Sequence, residues 1–144
     1  MCFFVCFIIT EKPEIVEHPK NQTYSIGSDL VFSCTATGLP QPNITWIKNN
    51  DLNVTKTNPR FKTILDLDDT KCHSVLLITN ATKEDAGTYQ CFVNNSAGER
   101  TSNVAFLHLE EGELLKSREQ IVFFPKKKLI EVIKIKMQIG RAHV

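Results

Sequence analysis

Apolar and polar residues alternate over short segments through most of the chain, a pattern expected of strands that bury one face. The segment Asp29–Thr37 shows it most clearly, because every second residue from Leu30 to Ala36 is apolar. Clusters of glycine, proline, asparagine and aspartate separate these segments and mark turns. The alternation predicts strands at Glu14–His18, Tyr24–Ile26, Asp29–Thr37, Asn43–Lys48, Phe61–Leu65, Ser74–Ile78, Gly87–Asn94 and Thr101–Leu109.

The same period of two predicts which side chains face the core. In the last predicted strand it places Val104 and Phe106 inward. By parity His108 also points inward, unless the strand leaves the core there or its register is unusual. For two earlier strands the predicted core-facing residues are Ile44, Trp46, Leu76 and Ile78.

Three residues in the middle of the chain have a characteristic spacing. Cys34 and Cys91 are 57 positions apart, and Trp46 follows the first cysteine by 12 positions. The second cysteine ends the run Asp85–Cys91, which reads D-A-G-T-Y-Q-C. This set resembles the D-x-G-x-Y-x-C signature and the Cys…Trp…Cys spacing of the immunoglobulin superfamily.

Two further runs resemble the I-set branch of that family. Gly38–Pro42 is similar to its G-x-P-x-P loop, and Cys91–Gly98 to its C-x-A-x-N-x-x-G hairpin, with Val93 at the alanine position. The resemblance covers residues 13–110. It implies an all-β immunoglobulin-like sandwich of two antiparallel sheets, with N- and C-terminal flanks that do not belong to the family.

The resemblance also implies structural roles for particular side chains. The two cysteines would bridge the sheets under Trp46, and the Tyr89 hydroxyl would bond back to the preceding turn. Arg60 resembles the arginine that pairs with the aspartate at Asp85. The structural residues implied in this way are Cys34, Cys91, Trp46, Leu76, Arg60, Asp85, Gly87 and Tyr89.

The flanks have a different composition. Residues 1–12 begin with a short apolar run, which is either the remnant of a signal peptide or translated non-coding sequence. Residues 111–144 carry isoleucine- and lysine-rich segments that fit a helix or a strand equally well. Because Ile139–Val144 resembles a sequencing adaptor read in frame, we expect this tail to be an artefact, unstructured or marginally helix or strand.

The net charge also differs between the predicted domain, residues 13–110, and the tail, residues 111–144. Residues 13–110 contain 8 Lys and Arg against 11 Asp and Glu, whereas residues 111–144 contain 8 against 4. A mildly acidic domain gives no electrostatic reason to expect a nucleic acid partner. The three lysines Lys126–Lys128 are too few to hold a membrane, so attachment would require a segment outside this chain.

Sequons and cysteines indicate the compartment. Five Asn-x-Ser/Thr sequons in one small domain, together with a predicted disulfide, favour an oxidising secretory environment and an extracellular location. Cys72 is left without an obvious partner and is expected on an outer part of the sandwich. A bridge outside this fragment or a free thiol is favoured over an internal bridge to Cys2 or Cys6. The sequon asparagines are Asn21, Asn43, Asn53, Asn80 and Asn94.

No catalytic pattern is present in the sequence. There is no H-E-x-x-H, C-x-x-C, phosphate-binding glycine loop or G-x-S-x-G, so neither an enzyme activity nor a cofactor is expected. The acidic run Asp66–Asp69 lacks the scaffold of a calcium loop and is predicted to be a solvated loop.

The predicted function is an extracellular recognition or adhesion module of a larger protein, binding a protein homophilically or heterophilically beside further immunoglobulin or fibronectin-type modules. One alternative is a spacer domain without a ligand in a matrix or filament protein. Another is a module in the ectodomain of a receptor kinase or phosphatase. Binding is predicted at the edge formed by the Tyr24–Ile26 strand and the last strand, or at one end of the domain through Leu39, Pro40, Gln41, Pro42, Asn95, Ser96, Ala97 and Gly98.

Overall fold

Strands make up most of the chain over residues 9–116 and 121–125, the part that this computed structural model describes. Two short helical segments interrupt them: α1 at Val54–Thr57, and a 3-10 turn at Lys83–Asp85. The strands are β1 Glu11–Glu17, β2 Gln22–Tyr24, β3 Leu30–Leu39, β4 Asn43–Lys48, β5 Phe61–Leu67, β6 Cys72–Ile78, β7 Gly87–Asn95, β8 Gly98–Thr101, β9 Ala105–Leu109, β10 Gly112–Lys116 and β11 Ile121–Pro125.

The first nine strands form two sheets that pack face to face. One sheet has the order β1-β3-β6-β5, and the other has the order β2-β9-β7-β4 with β8 also paired to β7. The pairs β3–β6, β5–β6 and β4–β7 are antiparallel without a register shift. The predicted all-β sandwich of two sheets is therefore confirmed.

The core follows the alternation seen in the sequence. In β3 the residues Leu30, Phe32, Cys34 and Ala36 are buried, while Val31 between them is half exposed. In β6 every second residue is buried, from Cys72 to Ile78. A strand with one apolar face has only one register that buries that face, which is why the pattern predicts these elements well.

The last strand of the sandwich differs from the prediction. The chain leaves the sheet after Thr101 and returns at Ala105, so two strands replace the predicted one. Ala105 and Leu107 are buried, whereas Val104 and Phe106, predicted to face inward, are 40% and 44% exposed. The predicted inward positions were therefore wrong by one residue.

Ser102 causes this change of phase. Its N–H donates to the Cys91 carbonyl, and its hydroxyl accepts the Cys91 N–H, both at 2.9 Å. The buried serine is followed by two exposed residues in succession, which shifts the alternation by one position. His108 is consequently exposed, and its ring stacks with that of Phe106 at a centroid distance of 6.0 Å.

Strand ends also extend beyond their predicted limits. β5 continues to Leu67, so Asp66 and Leu67 belong to a strand and only the second half of the acidic run lies in a turn. β6 begins at Cys72 instead of Ser74, which changes the environment of that cysteine. Extra pairing at strand ends follows from tertiary contacts that local sequence does not report.

The chain divides into two compact units, Met1–His108 and Leu109–Val144. In the second unit, β10 and β11 pair in an antiparallel register from Gly112 opposite Pro125 to Lys116 opposite Ile121. The predicted leader covers residues 1–12, of which residues 1–8 lie outside the described residues, whereas Glu11 and Lys12 begin β1. Of the predicted tail, residues 117–120 and 126–144 also lie outside them. Within the described part of the chain, no helix is long and apolar enough to cross a bilayer.

Candidate protein-interaction surface

A disulfide and an indole join the two sheets at the centre of the sandwich. Cys34 on β3 and Cys91 on β7 are bonded, with their Cα atoms 6.5 Å apart. Trp46 lies opposite Cys91 in the β4–β7 register and is fully buried. Its indole N–H donates to the Ser74 hydroxyl at 3.0 Å, which satisfies the one polar atom of the ring.

The role of Ser74 as the acceptor for the Trp46 indole was not predicted from the sequence. The sequence feature that could have indicated this role is a small polar side chain at an inward position of β6, between two buried apolar residues. A buried hydroxyl at such a position needs a hydrogen-bond partner, and the only tryptophan of the chain provides the donor.

The second aromatic centre of the core is the pair formed by Phe32 and Tyr89. Their rings stack with centroids 4.7 Å apart. The Tyr89 hydroxyl donates to the Asp85 carbonyl at 2.7 Å, and burial raises the pKa of this hydroxyl above its usual value. The phenol therefore stays protonated and fixes the turn that precedes β7.

Arg60 and Asp85 form a two-pronged ion pair at the base of the sandwich. The guanidinium nitrogens approach the two carboxylate oxygens of Asp85 at 2.7 and 2.9 Å. The carboxylate also accepts the Thr82 N–H at 2.8 Å, and its side chain is 1% exposed. Burial alone would raise the pKa of Asp85, but the bonds from Arg60 and Thr82 lower it below its ordinary value.

Gly87 allows the chain to pass close to the turn after β4. Its φ is +148°, and a Cβ built on it would lie 2.3 Å from the Asn49 Oδ1 atom. The same oxygen accepts the Thr88 N–H at 2.9 Å. A side chain at this position would therefore displace Asn49 and break the contact between the two turns.

Asn95 connects three segments at one end of the domain. Its side-chain nitrogen donates to the carbonyls of Glu11 at 2.7 Å and Pro40 at 2.9 Å. Its side-chain oxygen accepts the N–H groups of Ala97 at 2.8 Å and Gly98 at 3.1 Å. Because the side chain makes all four of these bonds within the domain, Asn95 positions the loops.

We call the segments 39–42 and 95–98 together the loop end. Its exposed members are Leu39, Pro40, Gln41 and Ser96, while Pro42 is buried and cannot contribute to a contact. The Gln41 amide donates to the carbonyl of Asp68 and, at 3.4 Å, to that of Lys71, which holds this loop against the turn after β5. Ala97 and Gly98 are half-buried.

The five sequon asparagines all lie at accessible positions. Asn21, Asn43, Asn53 and Asn80 are exposed, and Asn94 is half-buried. Asn43 and Asn94 are directly opposite each other in the β4–β7 register, on the outer face of their sheet. Residues so paired have Cβ atoms about 5 Å apart, so glycans on both would compete for the same space.

Asn21 lies at the outer edge of the same sheet. Its side-chain oxygen accepts the Phe106 N–H at 2.9 Å, next to where β2 pairs with β9. A glycan on the Asn21 nitrogen would therefore project beside this edge, which is one of the two surfaces predicted for binding. None of the five sequon asparagines lies in β1, β3, β5 or β6.

The structure corrects the prediction for Cys72. The thiol forms no disulfide within the described residues, and it is fully buried because β6 begins at this residue and turns it toward the core with the other inward positions. Burial also raises the pKa of the thiol, which lowers the fraction of reactive thiolate. The expected outer position was wrong, and a bridge to another molecule would require this strand end to open.

Nothing in the described part of the chain resembles a metal centre. No cluster of three or more His, Cys, Asp or Glu residues could hold an ion there. Every buried side-chain nitrogen or oxygen among these residues also has a hydrogen-bond partner.

Comparison with known proteins gives one family. The immunoglobulin-domain model matches residues 12–95. Hemicentin-1 of Mus musculus is 33% identical to this chain, and the match covers 77% of this chain and 2% of hemicentin-1. The tyrosine-protein phosphatase Lar of Drosophila melanogaster is 35% identical, and the match covers 68% of this chain and 4% of Lar. A solved structure of tandem Ig repeats of Dlar is 34% identical with a TM-score of 0.58, covering 70% of this chain and 47% of that one. The chain thus spans a few per cent of the curated relatives it matches.

Proposed function

The chain belongs to the immunoglobulin-domain family, and on that premise we propose that it is an extracellular protein-recognition module of a larger cell-surface or matrix protein. The observation that carries the proposal is the combination of one disulfide with five sequons at accessible positions. Disulfides and N-linked glycans both belong to the secretory pathway. In a reducing intracellular compartment the disulfide would not persist and the sequons would not be glycosylated.

The mechanism of such a module is passive. The disulfide, the indole and the Arg60–Asp85 pair make a rigid body, so its loops and edges are presented to a partner with little loss of conformational entropy. The loop end is the first candidate contact surface, because Asn95 holds its two segments together while Leu39, Pro40 and Gln41 remain exposed.

Glycan positions decide between the candidate surfaces. A glycan at Asn21 would shield the β2–β9 edge, and a glycan at Asn43 or Asn94 would cover the outer face of the β2-β9-β7-β4 sheet. Asn43 and Asn94 also adjoin the two segments of the loop end, so a glycan on either would stand beside that end. We rank the loop end ahead of the β2–β9 edge because Asn95 fixes its two segments in one place.

We expect that, when the full chain is secreted from animal cells, glycopeptide mass spectrometry will find N-glycans at several sequons but never at Asn43 and Asn94 of the same molecule. The physical reason is the direct cross-strand pairing of these two residues. Asn43→Gln should raise the occupancy of Asn94, while the matched variant Asn80→Gln, at the turn after β6, should leave it unchanged.

The absence of glycans at every sequon of the secreted chain would contradict the proposed extracellular role. Simultaneous occupancy of Asn43 and Asn94 would contradict the steric argument alone. If neither residue carried a glycan, the outer face of the β2-β9-β7-β4 sheet would be open and would become the first candidate for binding.

Two other roles remain as alternatives in the proposal. A spacer domain without its own ligand, in a matrix or filament protein, is favoured by the likeness to the I-band fragment I67–I69 from titin, at 27% identity and a TM-score of 0.61 over 74% of this chain and 35% of that one. A module in a receptor phosphatase ectodomain is favoured by the similarity to Lar. A chain that keeps its fold under reducing conditions and carries no glycan would favour the filament role.

A further inference from the structure

β5 is an outermost strand of the β1-β3-β6-β5 sheet. Within residues 9–116 and 121–125 it pairs with β6 alone. All residues from Lys62 to Leu67 are exposed, and Ile64, Leu65 and Leu67 remain 57%, 53% and 55% exposed. An open edge strand with exposed apolar side chains and no proline is a template for pairing with another strand.

The hydrogen bonds at the two ends of β5 show which of its residues face the open edge. The Thr79 N–H donates to the Arg60 carbonyl at 3.1 Å, and the Asp68 N–H donates to the Lys71 carbonyl at 2.9 Å. Both pairs continue the β5–β6 register. Hydrogen-bonded pairs alternate with non-bonded pairs along an antiparallel ladder. The backbone of the even-numbered residues of β5 is therefore hydrogen-bonded to β6. Thr63 and Leu65 direct their backbone N–H and C=O groups toward the open edge.

The side chains of β5 have a self-complementary order. Lys62, Ile64 and Asp66 lie on the outer face, opposite the half-buried outward residues of β6. Neither Lys62 nor Asp66 forms an ion pair within the described residues. The strand therefore presents a cation, an apolar residue and an anion at equal spacing, all on one face.

From these observations we propose that the chain forms a homodimer in which β5 pairs antiparallel with β5 of a second copy, about a two-fold axis at Ile64. Thr63 then lies opposite Leu65 of the second copy, so the outward-directed backbone groups of both satisfy each other. Lys62 lies opposite Asp66 of the second copy, and the two-fold axis generates this charge pair twice.

Other two-fold registers fit less well. Hydrogen bonding requires that two edge-facing residues meet, which leaves pairings centred on Thr63 or on Leu65 as the neighbouring alternatives. Centring on Thr63 places Lys62 opposite Ile64, and centring on Leu65 places Asp66 opposite Ile64. Only the register centred on Ile64 matches Lys62 with Asp66 and the apolar residue with itself.

This inference names a second copy of the chain as the partner in the proposed recognition role. The function of the dimer in the organism rests on that proposed role. One strand pair buries less area than a standard interface, so the dimer should be weak and concentration-dependent. Such weak contacts gain strength when several modules are joined in one protein.

Sedimentation velocity of the full secreted chain tests the proposal, from about 1 µM to about 1 mM, a range that covers weak association. The wild type should shift toward the dimer with concentration. Lys62→Glu should weaken association about tenfold or more, because it replaces two attractive pairs with two repulsive ones. Combining it with Asp66→Lys should restore association, whereas Lys20→Glu, in the connection between β1 and β2, should have no effect.

Thr63→Pro is the second variant. It removes an N–H that points away from β6, so the fold should be kept while the dimer is lost. A wild type that stays monomeric throughout would overturn the proposal, as would association that the Lys62→Glu and Thr63→Pro variants leave unchanged. A failed charge-swap rescue, with melting curves like the wild type, would overturn the Ile64 register. A monomer that still carries N-glycans would leave the proposed extracellular role standing.

Discussion

Replacing both Cys34 and Cys91 with alanine is expected to lower the free energy of unfolding by about 4 kcal/mol, from the entropy of the loop that the bond closes. The two residues are separated by 57 positions, which is a long loop for a small domain. Since such domains are stable by only about 5–15 kcal/mol, this loss is a large fraction of the total. The melting temperature should fall by roughly 15–30 °C.

Guanidinium and thermal unfolding followed by circular dichroism measure this loss. The matched control is Cys72→Ala, which removes a thiol of equal size and burial that forms no bond. It should cost only about 1 kcal/mol, the cost of deleting one buried heavy atom. A double variant as stable as this control would show that the disulfide does not support the sandwich.

Asp85→Ala is expected to lower the free energy of unfolding by about 3 kcal/mol, the lower end for breaking a buried ion pair. The variant removes both bonds from Arg60 and the bond from the Thr82 N–H. The lower end applies because the Arg60 side chain is 27% exposed and can regain water. Chemical unfolding near neutral pH measures this effect, with Asp69→Ala in an exposed turn as the control expected to change little.

The Asp85 contribution should depend on pH with a definite sign. The fold lowers the pKa of this carboxyl, so its stabilising effect is complete above the ordinary aspartate pKa of about 3.9 and is lost as the pH falls through the folded value. The difference between wild type and Asp85→Ala should therefore shrink below about pH 4. A difference that stays constant into strong acid would argue against a charged Asp85 in the fold.

Much of the sandwich could be predicted because its strands have one apolar face. The alternation in β3 and the cysteine–tryptophan spacing locate the core without any structure. Local sequence could not predict the shift at Ser102, because that shift depends on a hydrogen bond to Cys91 across the sheet. A polar residue in an alternating strand is therefore a reason to check for a change of phase.

The surface features could not be predicted from the sequence because they too depend on contacts between residues that are distant in sequence. Asn95 was predicted as part of a binding loop, but its four internal bonds are visible only when Glu11 and Pro40 are brought beside it. The burial of Cys72 depends on where β6 begins, which is set by its pairing with β3. The open edge of β5 likewise depends on the order of strands in the sheet and not on any one residue.

A covalent bond between Cys34 and Cys91 joins the two sheets of the sandwich, and the proposed extracellular role depends on that bond. A non-reducing peptide map of the secreted chain, alkylated before and after denaturation, tests it most directly. We expect linked peptides that contain Cys34 and Cys91, with Cys72 alkylated only after denaturation. Alkylation of Cys34 and Cys91 in the native protein, or a bond from either of them to Cys72, would contradict it.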